Sequence, residues 1–241
     1  MSNTEQPTMI LLTGPNGAGK TTFRQKFLEP NPIFENIDSL NWDEETIKLA
    51  QQNSQLPVRT AYIKAGKVIV QKTQKCFDDK KSFIYETTAA DHRHVNLIET
   101  AKNLEYKIVT VFIGLASPEL SKLRVKHRVA NGGHDVPVHN IETRYPKIMT
   151  NFSYLFDQSD TCFVIDNSGK KYELILLKSN DLSITFRRFP KYLPQDKFDL
   201  TKEIQPDGSI LLSNNEYNKK KPEEKQQLIQ HLIELLSVKN I

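Results

Sequence analysis

Residues 13–23 read TGPNGAGKTTF, and no other stretch restricts the fold as much. Gly14, Gly19, Lys20 and Thr21 fill the fixed positions of the pattern G-x-x-x-x-G-K-[ST]. The glycines let the backbone curl so that successive N–H groups point inward at phosphate oxygens. Lys20 supplies a charge for the β- and γ-phosphates, and the Thr21 hydroxyl can take one position on Mg²⁺. With Asn16, Gly17, Ala18 and Thr22 the loop forms the expected nucleotide site. Such a loop joins a strand to a helix, and the flanks comply. Residues 9–12 are apolar and suit a buried parallel strand. Residues 22–28 read as a helix with Phe23 and Phe27 on one face, and its N-terminus adds a dipole to the anion site.

The rest of the chain alternates in the same way. Helices are expected over 43–51 and 58–78, the second carrying Ile63, Val70 and Phe77 at seven-residue spacing. A short extended piece covers 33–38, and strands are expected at 82–87 and at 108–115, IVTVFIGL. A helix covers 92–103, and another follows Ser117-Pro118, an N-cap with proline at the first helical position. It stops at Asn131-Gly132-Gly133, and a further helix covers 139–150. Residues 161–165 and 172–177 flank an Asn167-Ser168-Gly169 turn and read as a hairpin. The expected class is α/β: a P-loop kinase-like, mostly parallel sheet with helices on both faces.

At 241 residues the chain holds one generous domain with an appendage. The expected division is a kinase domain over 1–180 and a C-terminal accessory extension over 181–241. The extension is lysine-rich and ends in an amphipathic helix at 223–238 with Leu228, Leu232, Leu235 and Leu236 on one stripe. A net charge of +4 without a clustered basic patch counts against nucleic acid as a partner. No apolar run reaches the length of a membrane span, and the two unpaired-looking cysteines, Cys76 and Cys162, suit a reducing compartment, so the cytoplasm is the expected location.

Ligands of such sheets collect beyond the carboxyl ends of the strands. Three groups of polar residues are expected there. Asp38, in Asn36-Ile37-Asp38, is placed either to accept the proton of an acceptor hydroxyl or to serve as a turn or cap residue. Glu86, with Thr87 and Thr88 directly after an apolar strand, can hold a water on Mg²⁺ or bind an acceptor hydroxyl. Arg124 and Arg128 share a helix face, and Arg144 follows on the next helix after the Gly-Gly break; two such helices and a loop make a lid that brings positive charge to a transferring phosphate. His134, in that loop, is expected to order it rather than to bind metal.

GPNGAGKTTF, NID, ETT after an apolar strand, and RVANGGHDVP with a downstream Arg-Tyr together resemble the zeta toxin family over about residues 8–168. The resemblance implies an ATP- and Mg²⁺-dependent kinase whose best-understood relatives phosphorylate the 3′-hydroxyl of UDP-N-acetylglucosamine. It implies nucleotide and metal roles for Lys20 and Thr21, a general base at Asp38, acceptor binding by Glu86, beside which Thr87 is placed to join it, and lid arginines at Arg128 and Arg144. The acceptor is then a sugar hydroxyl of a nucleotide sugar, the protein a toxin, and its antagonist either a separate antitoxin chain or the C-terminal segment. An NAD or other nucleotide kinase of the same fold, or an ATPase switch without a small-molecule acceptor, remain as alternatives. One departure is Thr143 before Arg144, where relatives often carry a second arginine.

Overall fold

The apolar run ahead of the glycine loop forms β1 (Thr8–Thr13), buried at every residue. The structure, a computed structural model, describes residues 6–179, 182–185 and 191–193. β1 is flanked on one side by β3 (Phe83–Glu86) and β2 (Asp38–Asn41), and on the other by β4 (Lys107–Gly114) and β5 (Thr161–Asp166). These five strands are parallel. β6 (Glu173–Ser179) and β7 (Leu182–Thr185) continue the same sheet antiparallel, giving the order β2-β3-β1-β4-β5-β6-β7. The fold is thus the expected mostly parallel α/β sheet.

Alternate residues of β1 feed two cores, as a two-faced parallel strand must. Ile10 and Leu12 pack with Phe23, Leu28, Val109, Val111 and Ile113. Met9 and Leu11 pack on the opposite face with Ile69, Phe77, Ile98 and Leu155. The first face receives α1 (Lys20–Phe23), which continues as a π-helical turn over Arg24–Leu28. The second receives α3 (Val58–Asp78), α4 (Arg93–Asn103) and the later part of α6 (Val138–Gln158). α2 (Trp42–Gln52) lies on α3, and α5 (Pro118–Ala130) starts at a Ser117 cap whose hydroxyl accepts the Leu120 N–H. Among the described residues no helix is long and apolar enough to cross a membrane.

The structure shifts several boundaries. The piece expected to be extended over 33–38 is a 3₁₀ turn, Pro32–Phe34, followed by Asn36 in the left-handed region (φ 70°), so the strand begins only at Asp38. α6 runs past 150 to Gln158 through Pro146, because Phe152, Leu155 and Phe156 continue its buried face. The seven-residue stripe on α3 is not its core face: Ile63 and Val70 are 53% and 64% exposed, whereas Ala61, Ala65, Ile69, Thr73 and Phe77, at four-residue steps, are buried. The division expected at residue 180 falls between β6 and β7, neighbours in one sheet. The helix expected at 223–238 lies outside the described residues.

Gly66 on α3 lets the Trp42 ring lie against the helix: a Cβ there would stand 2.1 Å from the indole. In an ordinary helix interior Gly→Ala gains about 0.5–1 kcal/mol. Here the sign should reverse, since overpacking costs about 1–3 kcal/mol. Gly66→Ala is expected to lower Tm by about 2–4 °C in a circular-dichroism melt. A raised Tm would show that the ring moves aside freely.

Candidate active site

The loop after β1 is tightly held. Gly14 has φ 139°, and a Cβ on it would lie 2.0 Å from the Ile113 carbonyl oxygen at the end of β4, so no other residue fits. Asn167 Nδ2 donates to the Ala18 carbonyl at 2.8 Å, the Tyr172 hydroxyl donates to Gly19 O at 2.8 Å, and the Ser121 hydroxyl donates to Asn16 O. Tyr172 also meets Phe23 and Phe27 edge-on, with centroids 5.3 and 5.7 Å away. Lys20 Nζ donates to the loop's own carbonyls, Gly14 O at 2.9 Å and Pro15 O at 3.1 Å. Its burial pulls the ammonium below its usual range, against the attraction of Glu86 and Asp43.

Glu86 ends β3 in register with Leu12, the residue before the loop begins to turn. It is buried, accepts the Thr21 hydroxyl at 2.6 Å, and accepts Arg24 Nε at 3.3 Å. Arg24 is itself buried and pairs with Glu29 and, at 2.5 Å, with Glu44 on α2. Burial pushes the Glu44 carboxyl up, while Arg24 opposes that shift. Thr87 donates its N–H to Leu12 O at 3.0 Å and caps the Ala89 N–H with its hydroxyl.

Asp38 does not reach this site. It pairs with Phe83 at the amino ends of β2 and β3, whereas Asn41 pairs with Glu86 at the carboxyl ends. Three strand residues separate the two levels, about 10 Å. Its recorded side-chain neighbour is the Cys76 thiol, 3.9 Å away. Asp43 and Glu44 line the loop's cavity beside Glu86, from the first turn of α2, where the Asn41 side chain accepts the Asp43 and Glu44 N–H groups and acidic residues suit the helix dipole.

Asp43 shares a cavity of about 410 Å³ with Lys20, Thr21, Glu86, Arg124, Arg128 and His134. The loop after α5 places His134 on it: Arg128 Nε donates to the His134 carbonyl at 3.0 Å, and His134 Nε2 lies 3.5 Å from Asp43 Oδ2. Arg124 instead reaches the Gly169 carbonyl, at 3.1 Å. Arg144 is not on this cavity. It lines an adjoining one of about 90 Å³ with Trp42, Tyr62, Tyr85, Arg93 and His94, and Asn41, Asp43, Glu86, Thr87 and Thr88 line both. Trp42 stacks on Tyr62 (5.1 Å between centroids), and the Arg93 guanidinium sits 4.6 Å over the indole. Thr21, Asp43 and Glu86 offer the hard oxygen donors that suit Mg²⁺.

His134 beside Asp43 holds that carboxyl below the usual carboxylate range, with Lys20 and Arg128 adding to the effect and burial opposing it. A depressed native pKa contributes stability above the unfolded value of about 3.9, and the contribution is lost as pH falls through the native value. His134→Gln should therefore melt below the wild type near neutrality, and the gap should close as the solution is acidified through the Asp43 titration. A gap of constant size down to pH 2 would mean that His134 acts by packing alone.

A family model described as Zeta toxin matches residues 1–174. The chain belongs to the zeta toxin family. An uncharacterized protein of Haemophilus influenzae is 28% identical to this zeta toxin family member over 140 residues, 58% of this chain and 94% of that one. Among solved structures, the complex of AvrRxo1-ORF1 and -ORF2 with ATP superposes with a TM-score of 0.62 at 14% identity, over 76% of this chain and 62% of that one. This chain therefore spans about three fifths of that relative. The PezAT chromosomal toxin–antitoxin system of Streptococcus pneumoniae superposes with a TM-score of 0.53 at 21% identity, over 68% and 69% of the two chains. These two structures share the fold of this chain.

Proposed function

We propose that the protein is an ATP- and Mg²⁺-dependent kinase that transfers the γ-phosphoryl group to a sugar hydroxyl of a UDP-N-acetyl-amino sugar. We propose further that it acts as a toxin restrained by a separate antitoxin chain. The observation that carries the reading is one cavity in which a P-loop lysine and threonine face a carboxylate, Asp43, and open onto a second cavity lined by aromatic rings, Arg93, Arg144 and Asp91.

In this reading the loop N–H groups, Lys20 and Arg128 hold the phosphates, with Lys20 exchanging the Gly14 and Pro15 carbonyls for phosphate oxygens. Thr21, with Glu86 behind it, would hold Mg²⁺, which would neutralise charge on the phosphates. Asp43 takes the proton of the acceptor hydroxyl as its oxygen bonds to the γ-phosphorus and the bond to the β-phosphate oxygen breaks, releasing ADP. Its lowered pKa keeps it ionised at neutral pH, at the cost of basicity. The acceptor's reacting end enters beside Thr87 and Thr88, and the remainder extends past Tyr62, Trp42, Arg93 and Arg144, since about 90 Å³ is too small for a whole nucleotide sugar. The stacked rings suit a ring-bearing acceptor and Arg144 an anionic one, while the Arg93 guanidinium is engaged by Asp91. The sugar itself comes from the family resemblance.

The test offers UDP-N-acetylglucosamine, NAD and a short RNA separately, each with ATP and Mg²⁺, to the wild type and to Lys20→Ala. Transfer to the nucleotide sugar that vanishes in Lys20→Ala supports the reading. Transfer to NAD alone keeps the chemistry and replaces the acceptor. ATP hydrolysis indifferent to all three would favour the ATPase switch.

A further inference from the structure

We infer that Tyr192 is a positioning residue for the nucleotide loop, acting through the turn between β5 and β6. The inference rests on the reading of the loop as an ATP site. It concerns a residue beyond the stretch that the family model matches, residues 1–174.

The contacts form a short chain. The Tyr192 hydroxyl donates to Asp166 Oδ1 at 2.8 Å. The same oxygen accepts the Ser168 N–H at 2.9 Å and the Ser168 hydroxyl at 2.5 Å, which closes the turn around Asn167. Asn167, held between them, donates its backbone N–H to Gly114 O at 3.0 Å and its side-chain amide to Ala18 O at 2.8 Å inside the nucleotide loop. One carboxylate oxygen thus links Tyr192 to the turn that fixes the loop. The Tyr192 ring lies so close to β4 that a Cβ on Gly114 would stand 2.6 Å from its hydroxyl. Its neighbour Leu193 is 2% exposed and packs with Phe112, Tyr145 and Ile175. Burial and the neighbouring Asp166 push the Tyr192 hydroxyl far up, so it remains a neutral donor.

A part-buried hydrogen bond to a carboxylate in a shared network is the kind whose removal is felt by the other members. Loosening the turn should let Asn167 release Ala18 and blur the N–H cradle. The phosphates would then bind less well, while Asp43 and the acceptor cavity would be untouched. Tyr192→Phe removes the hydroxyl and keeps the ring.

The experiment measures ATP affinity by calorimetry, together with kcat, KM for ATP and Tm, for the full chain. Four proteins are compared: wild type, Tyr192→Phe, Leu193→Ala and Lys20→Ala. The expected result is ATP affinity about 3- to 10-fold weaker in Tyr192→Phe, with KM for ATP raised equally and kcat unchanged. Leu193→Ala, which removes packing but not the hydrogen bond, should lower Tm and leave ATP affinity near wild type. If Tyr192→Phe binds ATP as the wild type does while Lys20→Ala does not, the inference fails and the proposed function stands. If Leu193→Ala weakens ATP binding as much as Tyr192→Phe, the effect is general loosening and the inference also fails. A wild-type protein that binds no ATP overturns the proposed function and the inference together.

Discussion

Asp43→Asn is expected to keep ATP bound and to slow phosphoryl transfer by about 10²–10⁴-fold, the usual cost of losing a general base. Asp38→Asn is expected to stay within a few-fold of the wild type. The amide is nearly isosteric with the carboxylate but cannot take the proton. Asp43 stands in one cavity with Lys20 and Thr21, whereas Asp38 opens β2 at the far end of the sheet. The measurement is initial rate with saturating ATP and acceptor, beside calorimetric ATP binding. Transfer lost in Asp38→Asn and kept in Asp43→Asn would overturn the assignment and require β2 to pair in another register.

Arg24→Met is expected to cost about 3–5 kcal/mol of stability, read by chemical denaturation. The side chains of Arg24 and Glu86 are each 5% exposed, and Arg24 also serves Glu29 and Glu44. Removing the guanidinium takes the Arg24 partner from the buried Glu86 side chain and leaves the Thr21 hydroxyl donating to it. The cost should therefore belong to the stranded charge. Arg24→Met combined with Glu86→Gln should recover a large part of it, and that non-additivity is the diagnostic result. A single variant within about 1 kcal/mol of wild type would show that water or a proton readily reaches Glu86.

The fold was legible because its signals are local. β1, β4 and α3 are long apolar or periodic stretches, and the Ser117-Pro118 cap marks its helix start directly. Membership of the cavity was legible where a residue is tied to the loop in sequence, as Lys20 and Thr21 are. It was misread where the triplet Asn-x-Asp occurs twice within eight residues, at 36–38 and at 41–43. The earlier copy lies in a turn and strand start, and the later one caps a helix at the carboxyl edge. Asn41 followed three residues on by Glu44 is an ordinary helix-start signature and could have separated them. Arg24, Arg93 and Tyr192 carry no such mark, because their roles come from partners distant in sequence.

Trp42 is the only tryptophan in the chain. Its indole N–H donates to Tyr62 O at 2.8 Å, its ring lies beneath Arg93, and it borders the smaller cavity rather than the larger. Excited selectively, the protein therefore emits from one known place. Its intrinsic fluorescence is a label-free optical gauge of whatever enters beside Arg144, and nucleotide arriving at the loop can be followed separately by heat.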